Sequence, residues 1–245
     1  MKKMYVFIVV LVVIASCLYA TAYSKKYNKA FVTLQQNNAP VVKIINPKNR
    51  TAVNSASAVN YSITVADKED GDSKYDEINV KEVLLQVKYI RDTTQLAAMV
   101  NAPVQNDAPG LAAIRGSNCF NCHNFNNKLI GPSFNDIGKK YTSSATNNAL
   151  LQKRILEGSK GVWGDVPMPS HPELNREQAA GMVQWILQTA TDANTDYYIG
   201  TTGSFQIPAN KKGAYLLNAS YTDHGVENDT LHRLKGEDKV FIYSK

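Results

Sequence analysis

Within five consecutive residues, Cys119-Phe120-Asn121-Cys122-His123, the chain sets two thiols three positions apart and an imidazole directly after the second. Side chains at i and i+3 lie on one side of a helical turn. Two thiols so placed reach one edge of a flat macrocycle together, and the histidine presents its ring to a metal from one face. This spacing is the sequence sign of c-type haem attachment, in which two vinyl groups on one porphyrin edge become thioethers. Two other chemistries use closely spaced cysteines. A thioredoxin-like dithiol needs a βαβ setting, which the surrounding sequence lacks. A zinc site needs further Cys or His nearby, and none is there. The motif therefore predicts one covalent haem c, held by Cys119 and Cys122, with His123 as an axial iron ligand.

The chain has three cysteines, and the third, Cys17, lies in a leader. Lys2 and Lys3 precede an apolar run over residues 4–15, followed by Ser16-Cys17-Leu18-Tyr19-Ala20-Thr21-Ala22, the charged-then-apolar grammar of an export signal. Three readings of residues 1–22 stand side by side. Ile14-Ala15-Ser16-Cys17 resembles a bacterial lipobox, which makes Cys17 an acylated N-terminus. Ala20-Thr21-Ala22 has the small-x-small form of a signal-peptidase site. Residues 4–23 are also long enough to stay as an uncleaved anchor. All three put the remainder outside the cytoplasm, in the periplasm or cell envelope, with a membrane tether by leader or lipid in two of them. An exported chain with only Cys119 and Cys122 left is not a disulfide-framework domain. The net charge of +6 draws on lysines flanking the leader, and no arginine-rich stripe or basic-aromatic interleaving points to nucleic acid. Mild basicity suits docking onto an acidic redox protein.

Candidates for the sixth iron ligand are Met99, Met168, Met182, His171, His224 and His232. Met182 sits in a helical pattern over residues 175–191 with Ala179, Val183 and Ile186, a spacing typical of core packing. Met168 lies in Trp163-Gly164-Asp165-Val166-Pro167-Met168-Pro169, which the prolines keep from being helical. An extended, proline-braced loop can hold a thioether toward a metal, so Met168 is the expected ligand and His171 its rival. Pro132, after Gly131, is placed to orient the His123 imidazole. Trp163 and Trp185, the two tryptophans, either pack against the porphyrin or fill core. Asn175 with Gln178 reads as a capping box.

These elements, in order, resemble a family. Cys119 to His123, Ile130-Gly131-Pro132, residues 161–171 around Met168 and an amphipathic last helix make residues 107–193 similar to a small bacterial monohaem class I cytochrome c. The resemblance implies an all-α fold wrapped round one haem, His/Met ligation and electron transfer.

On either side the pattern is β. Val41 to Ile45, Val59 to Val65 and residues 80–90 read as strands, as do Ser204 to Pro208, Gly213 to Asp223 and Lys239 to Tyr243. Between the early strands, Asp67-Lys68-Glu69-Asp70-Gly71-Asp72 reads as a solvated turn; its acidic density admits calcium, although the EF-hand ligand pattern is not met. Neither set of strands buries enough surface alone, and together they reach about the seven strands of an immunoglobulin-like sandwich. Ala39-Pro40-Val41-Val42, Tyr61 to Val65 and Asp67 with Glu69-Asp70-Gly71 resemble the start of a PKD-type immunoglobulin-like domain, and Gly213 to Asp223 resembles its late strands. The expected chain is thus multi-domain: a leader (1–22), a first β part (39–95), the cytochrome module (107–193) inserted in or flanked by an all-β sandwich, and a second β part (200–245).

The expected function is one-electron transfer between redox protein partners, without catalysis by this chain. Two alternatives stand beside it. One is a haem subunit of a periplasmic dehydrogenase or peroxidase; the other is an adhesion or binding module, with Tyr197 and Tyr198 exposed and the haem ancillary. A peroxidase needs an open iron site, which ligation by Met168 blocks.

Overall fold

Alternation of apolar and polar residues drives the β part. In β3 (Ala58–Asp67), Val59, Tyr61, Ile63 and Val65 are buried while Ala58, Asn60, Thr64 and Ala66 face solvent, the signature of a strand with one covered side. The computed structural model describes residues 36–227 and 229–245, so the leader and Cys17 lie outside the described residues. One sheet pairs β3 with β1 (Val41–Asn46), β4 (Gly71–Asp72) and β7 (Thr202–Gln206), all antiparallel. The other has the order β2-β9-β8-β5-β6, from β2 (Ala52–Val53), β9 (Lys235–Ser244), β8 (Gly213–Thr222), β5 (Leu84–Ile90) and β6 (Thr195–Ile199). Register is fixed by apolar pairs such as Val42 opposite Val65, and Leu217 opposite both Val87 and Val240.

The two sheets share one core. Val59, Ile63 and Phe205 from the first meet Leu85, Leu217 and Ile242 from the second. Each sheet therefore takes strands from both ends of the chain, and Asn37–Lys245 forms one compact unit. Burying each such Val, Leu or Ile contributes roughly 1.5–3 kcal/mol.

Four details differ from the sequence reading. Residues 80–82 form a 3-10 turn rather than strand, because the Asn79 side chain accepts the Lys81 N–H and competes with sheet pairing. Residues 195–199, left between the modules by the sequence reading, are strand β6. Tyr197 and Tyr198 are half-buried instead of exposed: Tyr198 packs on Tyr61 and Phe205 of the β core, and Tyr197 on Phe125 and Trp185 of the helical part. The acidic turn is wired into the sheets rather than solvated. Asp67 is buried and accepts the backbone N–H groups of Glu69 and Asp70, and Asp70 accepts the Tyr221 hydroxyl and the His224 N–H. Among the described residues no three His, Cys, Asp or Glu side chains are arranged to hold a metal ion.

Helices fill the segment between β5 and β6. Short α1 (Leu96–Val100) lays Leu96, Met99 and Val100 on Ile90, Ala214 and Phe241 of the second sheet. Then come α2 (Pro109–Gly116), α3 (Phe134–Lys140), α4 (Ala145–Glu157) and α5 (Arg176–Thr189). Ser133, Ser144 and Asn175 cap the last three, each side chain accepting an N–H three residues on, and Asn175 with Gln178 completes a capping box. Helices α2 and α5 cross backbone to backbone: a side chain at Gly110 would fall on the Gly181 carbonyl. Among the described residues no helix is long and apolar enough to cross a membrane.

An ionic network ties the helices to the sheet. Arg115 on α2 donates to Asp107 (2.9 Å), to the Glu82 carbonyl (2.9 Å) and to Ser220 on β8 (3.1 Å). Asp107 also accepts Lys235 of β9 (2.7 Å), and Glu237 sits between Lys235 and Lys239.

Candidate cofactor site

The attachment motif follows α2 directly. Asn118 takes a left-handed conformation (φ 57°), which reverses the chain and starts a 3-10 turn over Cys119–Asn121. Within it the Cys122 and His123 N–H groups both donate to the Cys119 carbonyl, at 3.1 and 2.9 Å. This turn carries the two thiols and the imidazole to one cavity. The two sulfurs are not joined to each other in a disulfide. Burial pushes the Cys119 thiol up to about 12, whereas a reactive dithiol needs a lowered value.

His123 is buried (8% exposed) and its Nδ1 lies 2.7 Å from the Pro132 carbonyl. A carbonyl only accepts, so Nδ1 carries the proton and Nε2 keeps its lone pair. Burial holds the imidazole below its usual range, opposed by the Pro132 carbonyl and reinforced by His171. The ring is thus kept neutral, the form that ligates metal. Ile130 and Gly131 fold back onto the motif by donating to the Cys122 carbonyl (3.2 and 2.8 Å). A Cβ at Gly131 would stand 2.5 Å from His123 Cε1, so only glycine leaves room for the ring. Phe134, the first residue of α3, stacks on the imidazole at 5.6 Å and 12°. Pro132 therefore bears on His123 through its carbonyl.

The facing wall is the segment after α4. Ser159 and Met168 exchange two backbone hydrogen bonds (3.1 and 2.8 Å), closing a loop that contains Trp163. Gly158 makes the turn possible with φ +85°, and a side chain there would crowd the Met168 carbonyl at 2.8 Å. Met168, braced by Pro167 and Pro169, lines the same cavity as Cys119, Cys122 and His123, as do Pro132 and Trp163. Trp163 is 36% exposed, with the Lys140 ammonium 4.4 Å from its ring centre.

The other candidates are elsewhere or otherwise engaged. Met182 does line the cavity, but from within α5, 2% exposed and packed in the helical core. Met99 packs under α1. His171 pairs with Glu173 (2.7 Å), His224 lies between Asp70 and Glu82 (3.2 and 3.0 Å), and His232 pairs with Asp229. Trp185 is core, edge-on to Phe125 and Tyr197.

The cavity, about 1260 Å³ including its open mouth, has aliphatic walls from Ile114, Ile137, Leu151, Ile155, Val183 and Ile186. The basic residues Lys128, Arg154 and Lys160 also line it, with Asp165. Two thiols, a neutral imidazole with a free Nε2, apolar walls and cations suit a flat apolar macrocycle with acidic tails. Sequence reasoning named Gly131 only as part of Ile130-Gly131-Pro132, without its steric role, and missed Arg154. Arg154 is held by the Tyr141 hydroxyl (2.6 Å), and no local motif marks it.

Comparison with known proteins agrees with this geometry. Residues 108–190 match the cytochrome c family. The chain is 34% identical over 73 residues to cytochrome c-551 of Pseudomonas aeruginosa, covering 30% of this chain and 69% of that protein. It is 37% identical over 71 residues to cytochrome c-552 of Nitrosomonas europaea, covering 29% and 69%.

The chain belongs to the class I monohaem cytochrome c family.

A solved structure of wild-type Nitrosomonas europaea cytochrome c552 aligns at 33% identity and a TM-score of 0.31, over 32% of this chain and 96% of that one. As a cytochrome c, the protein binds one covalent haem c and is an electron-transfer haem protein whose partners are redox proteins.

Proposed function

We propose that Cys119 and Cys122 hold the haem, that His123 and Met168 are its two axial ligands, and that the protein passes single electrons between redox proteins of the cell envelope. The observation that carries this reading is the opening of both thiols, the His123 imidazole and Met168 onto one apolar cavity. Bound haem c supplies a one-electron ferric/ferrous couple. The chain's residues do the rest. The Pro132 carbonyl holds the Nδ1 proton and aims Nε2 inward. The Met168 thioether, lining the same cavity as the imidazole, would as a second iron ligand favour the ferrous state and raise the potential. Aliphatic walls exclude water, which keeps charge reorganisation small. Trp163, Arg154, Lys128 and Lys160 line the cavity, where the indole would cover part of the bound haem and the basic residues would be available to its acidic tails. Exposed Leu129, Ile130 and Val166 offer an apolar landing near these lysines, which favours an acidic partner surface.

The rest of the chain serves placement. We read the two-sheet part, residues 39–95 with 200–245 and the intervening β6, as an immunoglobulin-like sandwich that spaces the cytochrome (107–193) from its tether. The shared core of the two sheets supports that reading, while the parallel β2–β9 pair departs from the all-antiparallel pattern. The tether would be the leader or a lipid on Cys17.

The test is visible spectroscopy of oxidised and reduced holoprotein beside Met168→Ala. The expected result is a weak red-end sulfur-to-ferric band in the wild type, lost in the variant, with carbon monoxide binding only to the variant. A wild type without the band that binds carbon monoxide readily would move the assignment toward catalysis or gas sensing.

A further inference from the structure

The helical core does not end at the family's boundary. It takes in Leu84 of β5 and, around its edge, Tyr197 and Ile199 of β6. Strand β6 follows α5, beyond residues 108–190, and belongs to the second sheet. A continuous series of rings runs from that strand to the imidazole. Tyr197 stacks on Phe125 at 5.0 Å and 26°, Phe125 meets Phe134 edge-on at 5.3 Å, and Phe134 stacks on His123 at 5.6 Å. Trp185 closes the corner, edge-on to both Phe125 (5.7 Å) and Tyr197 (5.4 Å). Polar bonds fix the same contact. The Tyr197 hydroxyl accepts from Gln86 Nε2 on β5 (2.8 Å), and the Tyr197 carbonyl accepts from Asn126 Nδ2 (3.2 Å). Asn126 in turn accepts from Asn135 (2.7 Å), next to Phe134.

From this arrangement we infer that Tyr197 is a positioning residue for the axial imidazole: the sheet, through Tyr197, Phe125 and Phe134, sets the seat of His123. Rings in contact move together because a packed interior has no slack to absorb a displaced neighbour. Hydrogen bonding at Pro132 fixes one atom of the imidazole, and the Phe134 face fixes its plane. The neighbouring Tyr198 is the internal control. It points to the other side of β6, onto Tyr61 and Phe205, as strand alternation requires.

The inference rests on His123 being the iron ligand, and the experiment separates the two. Wild type, Tyr197→Phe, Tyr197→Leu and Tyr198→Leu are compared as holoproteins for covalent haem content, electron-exchange equilibrium with a reference couple, and the paramagnetically shifted imidazole resonances of the ferric form. One haem per chain is expected throughout. Tyr197→Leu should change the exchange equilibrium by about two- to twelve-fold, the range spanned by one aromatic contact, and displace the imidazole resonances. Tyr197→Phe keeps the stack and loses only the Gln86 bond, so it should hold the wild-type redox readouts with at most a lower unfolding midpoint. Tyr198→Leu should lower the unfolding midpoint and leave both redox readouts alone. If Tyr197→Leu does not fold, Tyr197→Trp keeps a ring there with altered contact and should shift the same readouts. Wild-type redox behaviour in Tyr197→Leu or its Tyr197→Trp substitute, or an equal shift in Tyr198→Leu, overturns the inference while the haem assignment stands. A wild type without covalent haem overturns both.

Discussion

At the scale of single residues, the site depends as much on what is missing as on what is there. Gly131 leaves the space that the His123 ring occupies. Gly131→Ala should cost about 1–3 kcal/mol through overpacking, read as a lower urea midpoint of the holoprotein with broadened imidazole resonances. A second residue carries an electrostatic penalty. Burial first, then the charges of Asp70 and Asp223, raise the Asp67 carboxyl above its ordinary 3.8, against the pull of the Asp70 and Glu69 N–H groups. Its Oδ2 is buried without a partner. The folded state therefore holds this proton to higher pH than the unfolded state, so the stability tied to it falls as pH rises through that window. Asp67→Asn should stabilise the protein at neutral pH relative to acid pH, with the gain vanishing below the ordinary carboxylate value; urea titrations across pH measure it. The motif from Cys119 to His123 stood out in the sequence because its spacing is a steric requirement of the proposed chemistry, and the fold brings its residues to one cavity. The roles of Gly131 and Asp67 did not stand out, since the first comes from the chain folding back onto the His123 ring and the second from burial that a solvated-turn reading leaves out.

At the scale of elements, the junction between helices and sheet is polar and dry. Arg115 and Asp107 are 7% and 8% exposed at their side chains, and Arg115 grips Glu82 and Ser220 from the helix that leads into the haem motif. Removing one member strands its partners without water. Arg115→Ala should destabilise the fold by about 3–5 kcal/mol, and Arg115→Met with Asp107→Leu should recover part of that loss in equilibrium unfolding. None of this network was visible beforehand. Arg115, Asp107 and Lys235 read as ordinary surface charges until the fold brings α2 against β8 and β9. Elements with their own signal were legible: the alternation of β3, and the Asn175–Gln178 cap of α5. Strand β6 lacked such a signal, because both its faces are covered, by the β core on one side and the helices on the other.

At the scale of the whole molecule, the segment carrying the haem begins and ends at neighbouring strands: β5 and β6 pair side by side, Lys88 opposite Thr195. Topologically the cytochrome is the loop of a β-hairpin. The sequence suggested a split β part, since neither half had strands enough alone; that its halves interleave in both sheets depends on pairings no local pattern encodes. Closing a flexible loop of roughly a hundred residues costs only about 3 kcal/mol more than closing a tight turn. A folded module whose two ends already lie together removes that cost. The double variant Cys119→Ala, Cys122→Ala, which takes up no covalent haem, should thus lose up to about 3 kcal/mol of protection in the sheets, measured by native-state amide exchange at Leu217 and Val240. Loading the cofactor would then act at a distance as a buckle: the step that makes the chain able to carry an electron also draws shut the strap on which it hangs.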